Sequence, residues 1–286
     1  MTGPAGTTAF VDLHMNSTAS DGSRSPAEVV RAAKSASLVA IALTDHDTVA
    51  GLAEARAVGA EVGVRIVNGV ELSAVEGETE THLLGLHLRD TQVLERGLAE
   101  LRDMRGRRAA RIVELLQAQG VQVTLDDVML QAGAGAIGRP HVARALVADG
   151  HVRDHREAFD RYLGYGRPAY VAKERLTSAD AVRIVHDAGG ICVFAHPGSD
   201  GSRERVERLV AAGLDGLETR HPSLSAEDQL RLNALVDHFG LVRSGGSDWH
   251  GQTEGPRTIG MMQVPADWLE RQEERAAQVR ARARVA

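Results

Sequence analysis

A chain of 286 residues can bury one sizeable core, either as a single large α/β domain or as a domain carrying a smaller insertion. Hydrophobic residues at 43% and charged residues at 25% argue against a disordered or membrane chain, and aromatics at 3% argue against a broad base-stacking surface. A net charge of −6 opposes non-specific binding to long nucleic acid and favours small substrates, while the only cysteine, Cys192, excludes an internal disulfide and a thiolate zinc cage. The opening "MTGPAGTTA" lacks a basic start and an apolar run, and no apolar stretch is long enough to span a bilayer, so the expectation is a cytoplasmic protein without a membrane partner.

In chain order, the apolar run "TAFVDLH" reads as a strand, followed by "SPAEVVRAAKSA", a helix with Ser25 as N-cap and Pro26 at its first position. Further strand-like runs are "LVAIALTDHD", "VRIVNGVEL" and "THLLGLHL", and later "GGICVFAHP", "GLDGLETRHP" and "FGLVRSGGSDWH". Strands alternating with Ala-rich helices predict a mainly parallel sheet or barrel. Nearly every run ends in His, Asp or Glu, and in such folds the carboxyl ends of the strands meet on one face.

The alternation breaks between residues 92 and 170, where "LERGLAELRDMRGRRAARIVELLQAQG" reads as a long Arg-rich helix and the rest as short helices and loops. This predicts a discontinuous domain, 1–91 with 171–286, carrying an inserted, mostly helical cap over 92–170.

Residues i and i+2 of a strand share a side, so His14 and Asn16 should point together, as should Asp248 and His250 if "GSDWHG" is extended. His46 in "TDHDT", Glu71 in "NGVELS" and His196 in "FAHPG" sit at strand ends, and of His82 and His87, five apart, only one should face the site. Mixed imidazole and carboxylate donors without sulfur suit zinc, manganese or iron, and a bridging carboxylate among them suits a site of two or three metals. Asp12 reads as a strand-end residue or one that orients an imidazole, Asp45 and Asp47 as orienting or turn-forming residues, and His221 as an ordinary histidine at a strand end.

The ordered set "DLHMNSTASDG", "TDHDT", "GVE", "THLLG", "AHPG" and "GSDWHG" resembles the polymerase and histidinol phosphatase (PHP) superfamily over most of the chain outside the tail. The resemblance implies a distorted (β/α)7 TIM-like barrel with a cluster of two or three divalent ions (Mn, Zn or Fe) at its carboxyl end. It implies that His14 and Asp248 hold one metal and that Glu71 bridges to a second held by His82 and His196. Asp21, His46 and His250 would hold a third and take part in catalysis. Asn16 stands where the family has the second histidine of His-x-His, which predicts a more loosely held first metal.

The inserted cap with "GRPH" resembles the subgroup that hydrolyses nucleotide phosphomonoesters. By that resemblance Arg139 and His141 bind the substrate phosphate and serve catalysis, with Arg107 or Arg108 as further phosphate contacts, while the Arg run at 105–111 reads otherwise as a solvated helix face. The implied activity is metal-dependent phosphoester hydrolysis by a metal-activated hydroxide. The implied substrate is a 5′-nucleotide, a 3′,5′-nucleoside bisphosphate or the 5′ end of a short RNA, with no long duplex as partner. Two alternatives keep the same site: a phosphatase of a sugar, cyclic or amino-alcohol phosphate, and an impaired metal- and nucleotide-binding variant in which Asn16 has disabled catalysis.

Overall fold

The computed structural model describes residues 9–76, 79–132, 137–172 and 176–283, the side chains of 101–105 excepted. In chain order the elements are β1 (Phe10–Met15), α1 (Pro26–Ser35), β2 (Ala40–Leu43), α2 (Leu52–Val62), β3 (Arg65–Asn68), β4 (Val70–Glu76) and β5 (Thr79–Leu86). Next come α3 (Thr91–Ala118), α4 (Leu125–Ala132), α5 (Arg139–Ala148) and α6 (His155–Ala158). The chain continues with α7 (Ser178–Asp187), β6 (Ile191–Phe194), α8 (Arg203–Ala211), β7 (Gly216–Arg220), α9 (Ala226–Phe239), β8 (Val242–Gly245), β9 (Val264–Pro265) and α10 (Asp267–Ala283). Two compact units result, one from Met1–Glu95 with Leu176–Ala286 and the other from Arg96–Arg175.

Local chemistry accounts for the element starts. At α1, Ser25 accepts from the Glu28 backbone N–H while the Glu28 carboxylate accepts from the Ser25 N–H, and Pro26 fills the first turn, where no backbone donor is needed. Such a cap contributes about 1 kcal/mol. Thr177, Ser202 and Ser225 cap α7, α8 and α9 through the same hydroxyl-to-backbone bond.

In the first unit the strands form two sheets. One has the order β3-β2-β1-β9, with β1, β2 and β3 parallel and β9 antiparallel to β1. The other has the order β4-β5-β6-β7-β8, antiparallel across β5 and parallel from β6 to β8. Isolated bridges, Met15 with Trp249 and His46 with Glu71, link the two sheets, but among the described residues the ladders do not close. The described residues thus show two bridged sheets in a mixed α/β fold, which is consistent with the distorted (β/α)7 TIM-like barrel that the resemblance implies. Alternation along β2 explains the layering: Ala40 and Ala42 enter the core shared with β5, β6 and α10, whereas Ile41 and Leu43 pack with α1 and α2.

The second unit is helical, with Ile112, Leu116, Val142, Leu146 and Leu163 in its own core. Arg108 clasps it by donating from Nε and Nη2 to the Val171 carbonyl at 3.0 and 2.9 Å.

Candidate metal centre

The carboxyl ends of β1 and β2, the start of β4, mid-β5 and the segments after β6, β7 and β8 bring the histidines and carboxylates together. Glu71, 1% exposed, is the hub. Its Oε2 lies 3.0 Å from His14 Nε2 and 3.3 Å from His46 Nε2, and its Oε1 lies 2.9 Å from His82 Nδ1 and 3.1 Å from His196 Nε2. One carboxylate thus touches four imidazoles that span the sequence from 14 to 196.

A second focus is Asp248, whose Oδ1 accepts from Asn16 Nδ2 at 3.3 Å and lies 3.4 Å from His14 Nε2 and 3.5 Å from His250 Nδ1. Asp21, on the exposed rim, places Oδ1 3.2 Å from His250 Nε2. Asp248 does not lie on an extended strand: β8 ends at Gly245, and Asp248 has φ of 51°, so the shared-side expectation for Asp248 and His250 is corrected. His196 also has positive φ, at 31°, with its N–H fixed on Glu218 Oε2 at 2.7 Å. Two non-glycine residues held in the left-handed region of one cluster mark backbone strain kept at a functional site.

Burial works against charge here, but the partners win. Desolvation alone would lower the pKa of His14, yet the Glu218 and Glu71 carboxylates hold it well above the ordinary value. Glu71 and Glu218 are likewise held below the usual carboxylate range despite burial, His14 being the main cause for both.

Among the described residues three groups present donor atoms within 4.8 Å of one another: His14, His221 and Asp248; Asp21, His46 and His250; and His46, Glu71 and His82. Asn16 Oδ1 is buried without a hydrogen-bond donor, and His221 Nε2, 3.4 Å from Asp248 Oδ2, is misaligned for a hydrogen bond. An all-nitrogen-and-oxygen donor set with an orphaned amide oxygen fits divalent cations.

The pattern of the PHP domain family matches residues 12–167. The chain belongs to that family. A 3′,5′-nucleoside bisphosphate phosphatase from Chromobacterium violaceum is 39% identical over 259 residues, 88% of this PHP chain and 91% of that protein. A 5′-3′ exoribonuclease from Haemophilus influenzae is 36% identical over 245 residues, 84% of this chain and 89% of that one. A crystal structure from Bifidobacterium adolescentis, described as a metal-dependent phosphoesterase, aligns with a TM-score of 0.69 at 31% identity, covering 94% of this chain and 97% of that one.

Three residues of this PHP cluster escaped the sequence reading. Glu218, fully buried on β7, lies 3.2 Å from His14 Nδ1; the His221 ring lies tilted, 5.3 Å from His196 and 5.9 Å from His14; and Arg257 donates to Asp248 Oδ2. "GLETRHP" held a signal for the first two, a carboxylate and an imidazole at the end of a buried strand, whereas nothing marks Arg257 in its glycine-rich segment. Asp12 orients no imidazole: its Oδ1 accepts from the backbone N–H of Ser247 at 2.9 Å and of His14 at 3.4 Å, tying β1 to the segment after β8. Asp45 organises the Ser17–Ser20 loop, accepting from both hydroxyls. His87 lies away from the cluster, donating from Nε2 to Gln272 at 3.0 Å.

In the helical unit, the His141 ring caps α5 by accepting from the Gly138 N–H at 2.9 Å, and burial holds its pKa below the ordinary value. Arg139 donates to the Leu163 carbonyl at 3.1 Å and lies 5.6 Å from the rings of Phe159 and Tyr170. Arg107 is exposed.

Proposed function

We propose that this PHP protein is a phosphatase of small nucleotides, hydrolysing 5′-nucleotides or 3′,5′-nucleoside bisphosphates and, more slowly, the 5′ ends of short RNA. Hydrolysis of phosphoesters by metal-dependent chemistry is the activity of its PHP relatives. The observation that carries the reading is the Glu71 carboxylate shared by four imidazoles, flanked by the Asp248 and Asp21 groups, since such a set has no use in a packed core and matches a multi-metal site.

His14, Asn16 and Asp248 would hold one ion, Glu71, His82 and His196 a second, and Asp21, His46 and His250 a third, with Mn, Zn and Fe all suited to these donors. Bound there, the ions would activate water and neutralise charge on the phosphoryl group. Glu71 joins the positions, Glu218 fixes the His14 tautomer through Nδ1, and Arg257 pairs with Asp248 beside the place of reaction. His46 and His250 are part-exposed on the rim with Asp21, where an ion held by them would be open to the ester-oxygen side of the substrate. The start of α5, with Arg139 and His141, is offered as a phosphate-binding element of the helical unit. We also infer that the two bridged sheets are the halves of a distorted (β/α)7 barrel.

Asn16 favours a working enzyme over an impaired one, because its orphaned Oδ1 keeps an oxygen donor where the family has imidazole nitrogen. Release of phosphate from a panel of nucleotides should disappear on chelation and return with Mn2+. Full activity in the chelated protein would overturn the proposal.

A further inference from the structure

Four of the chain's nine aromatic residues, including all three tyrosines, fall between Phe159 and Tyr170 in the helical unit. Tyr165 is 89% exposed. A lone exposed ring would mean little. This one is held in a particular way.

Gly164 and Arg167 close a turn with a 3.1 Å backbone bond, Tyr165 and Gly166 being its central residues and Gly166 taking φ of +71°, which suits the third place of a type II turn. A second turn follows directly, Tyr170 N–H donating to the Arg167 carbonyl at 2.9 Å, and Ala169 N–H ties it back to Tyr162 at 3.0 Å. The Tyr170 ring meets the Tyr165 ring edge-on at 5.4 Å and is itself backed by the Arg139 guanidinium. The turns fix the backbone at Tyr165, and its ring, edge-on against Tyr170, keeps an open aromatic surface. The same turn ends on Arg167, exposed, with no side-chain hydrogen bond among the described residues.

A flat π-surface beside an unengaged guanidinium, on one rigid corner, is the chemistry of a nucleotide: the base stacks on the ring and a phosphate pairs with the cation. We propose that Tyr165 is the base-stacking residue of this protein, with Arg167 as its phosphate partner. The inference rests on the nucleotide reading above and deepens it. Because every base has a π-face, it also means that purine and pyrimidine nucleotides are accepted alike.

The test compares initial rates of the metal-loaded full chain, wild type, Tyr165→Ala and Tyr165→Phe, on adenosine 3′,5′-bisphosphate and on ribose 3,5-bisphosphate, which lacks the base. The expected result is a wild-type preference for the nucleotide, lost in Tyr165→Ala through a roughly tenfold rise in KM for the nucleotide alone, and kept in Tyr165→Phe. A nucleotide preference that survives Tyr165→Ala would overturn the inference while leaving the proposed function standing, and so would an equal loss on both substrates. A wild type indifferent to the base would overturn both.

Discussion

Asn16 and its neighbours show how much one position depends on its surroundings. Its Nδ2 donates to Asp248 while its Oδ1 has no donor, so the amide is already oriented as a hydrogen-bonded oxygen ligand. Replacing it by imidazole should change turnover less than tenfold while tightening retention of one metal, which dialysis followed by elemental analysis would show. A gain of a hundredfold or more in turnover would mean that the present residue cripples the site.

His87 makes a separate statement about pH. Burial, helped by the charges of Arg65 and Arg280, lowers its pKa from 6.5 to about 4 against the hydrogen bond to Gln272. Between these values the unfolded imidazole binds a proton that the folded one refuses. Its contribution is therefore full above pH 6.5 and is lost as pH falls from there toward about 4, about 3 kcal/mol in all. Urea midpoints measured at pH 7.5 and 5 should therefore differ less in His87→Gln than in wild type. An unchanged pH dependence in the variant would refute this role.

At the scale of elements, the site exists because β1 and the segment after β8 approach unusually closely. A Cβ on Gly246 would stand 2.4 Å from His14 Cβ and 2.5 Å from its backbone N, distances that no side chain tolerates. Gly246→Ala should therefore cost about 1–3 kcal/mol and displace His14, lowering both the urea midpoint and metal retention. A variant with wild-type values in both would show that this approach is not required.

Strand ends were legible where apolar runs terminate in His or Glu, which marked His14, His46, Glu71 and His196, while the choice of His82 over His87 came from the family resemblance. The helix start at Ser25-Pro26 was equally plain, since its signals are local. What the sequence could not show was backbone conformation. Asp248 reaches the cluster through a left-handed residue, not by strand alternation, whereas His14 and Asn16 both meet Asp248 Oδ1, as alternation predicts. Arg257 was invisible because an arginine in a glycine-rich loop carries no period, and Glu218 because a buried glutamate needs its partner, His14, more than two hundred positions away, to make sense.

Taken as a whole, the molecule divides its chemistry between two units. The first gathers the imidazoles and carboxylates proposed to hold metal ions from both of its sheets, and the second carries the aromatic and basic groups proposed to bind a nucleotide. The net charge of −6 is consistent with this division, because small anions can be captured by local cations where long polyanions are repelled. No helix among the described residues is long and apolar enough to cross a membrane.

Glu71 is proposed to join ion-binding positions. Elemental analysis of the full chain after loading with Mn2+ and removal of free metal, beside Glu71→Gln, tests it most directly. Two or three ions are expected per wild-type chain, and at least one fewer in Glu71→Gln with activity reduced by about a hundredfold or more. Equal metal content in the two proteins, or none in either, would contradict it.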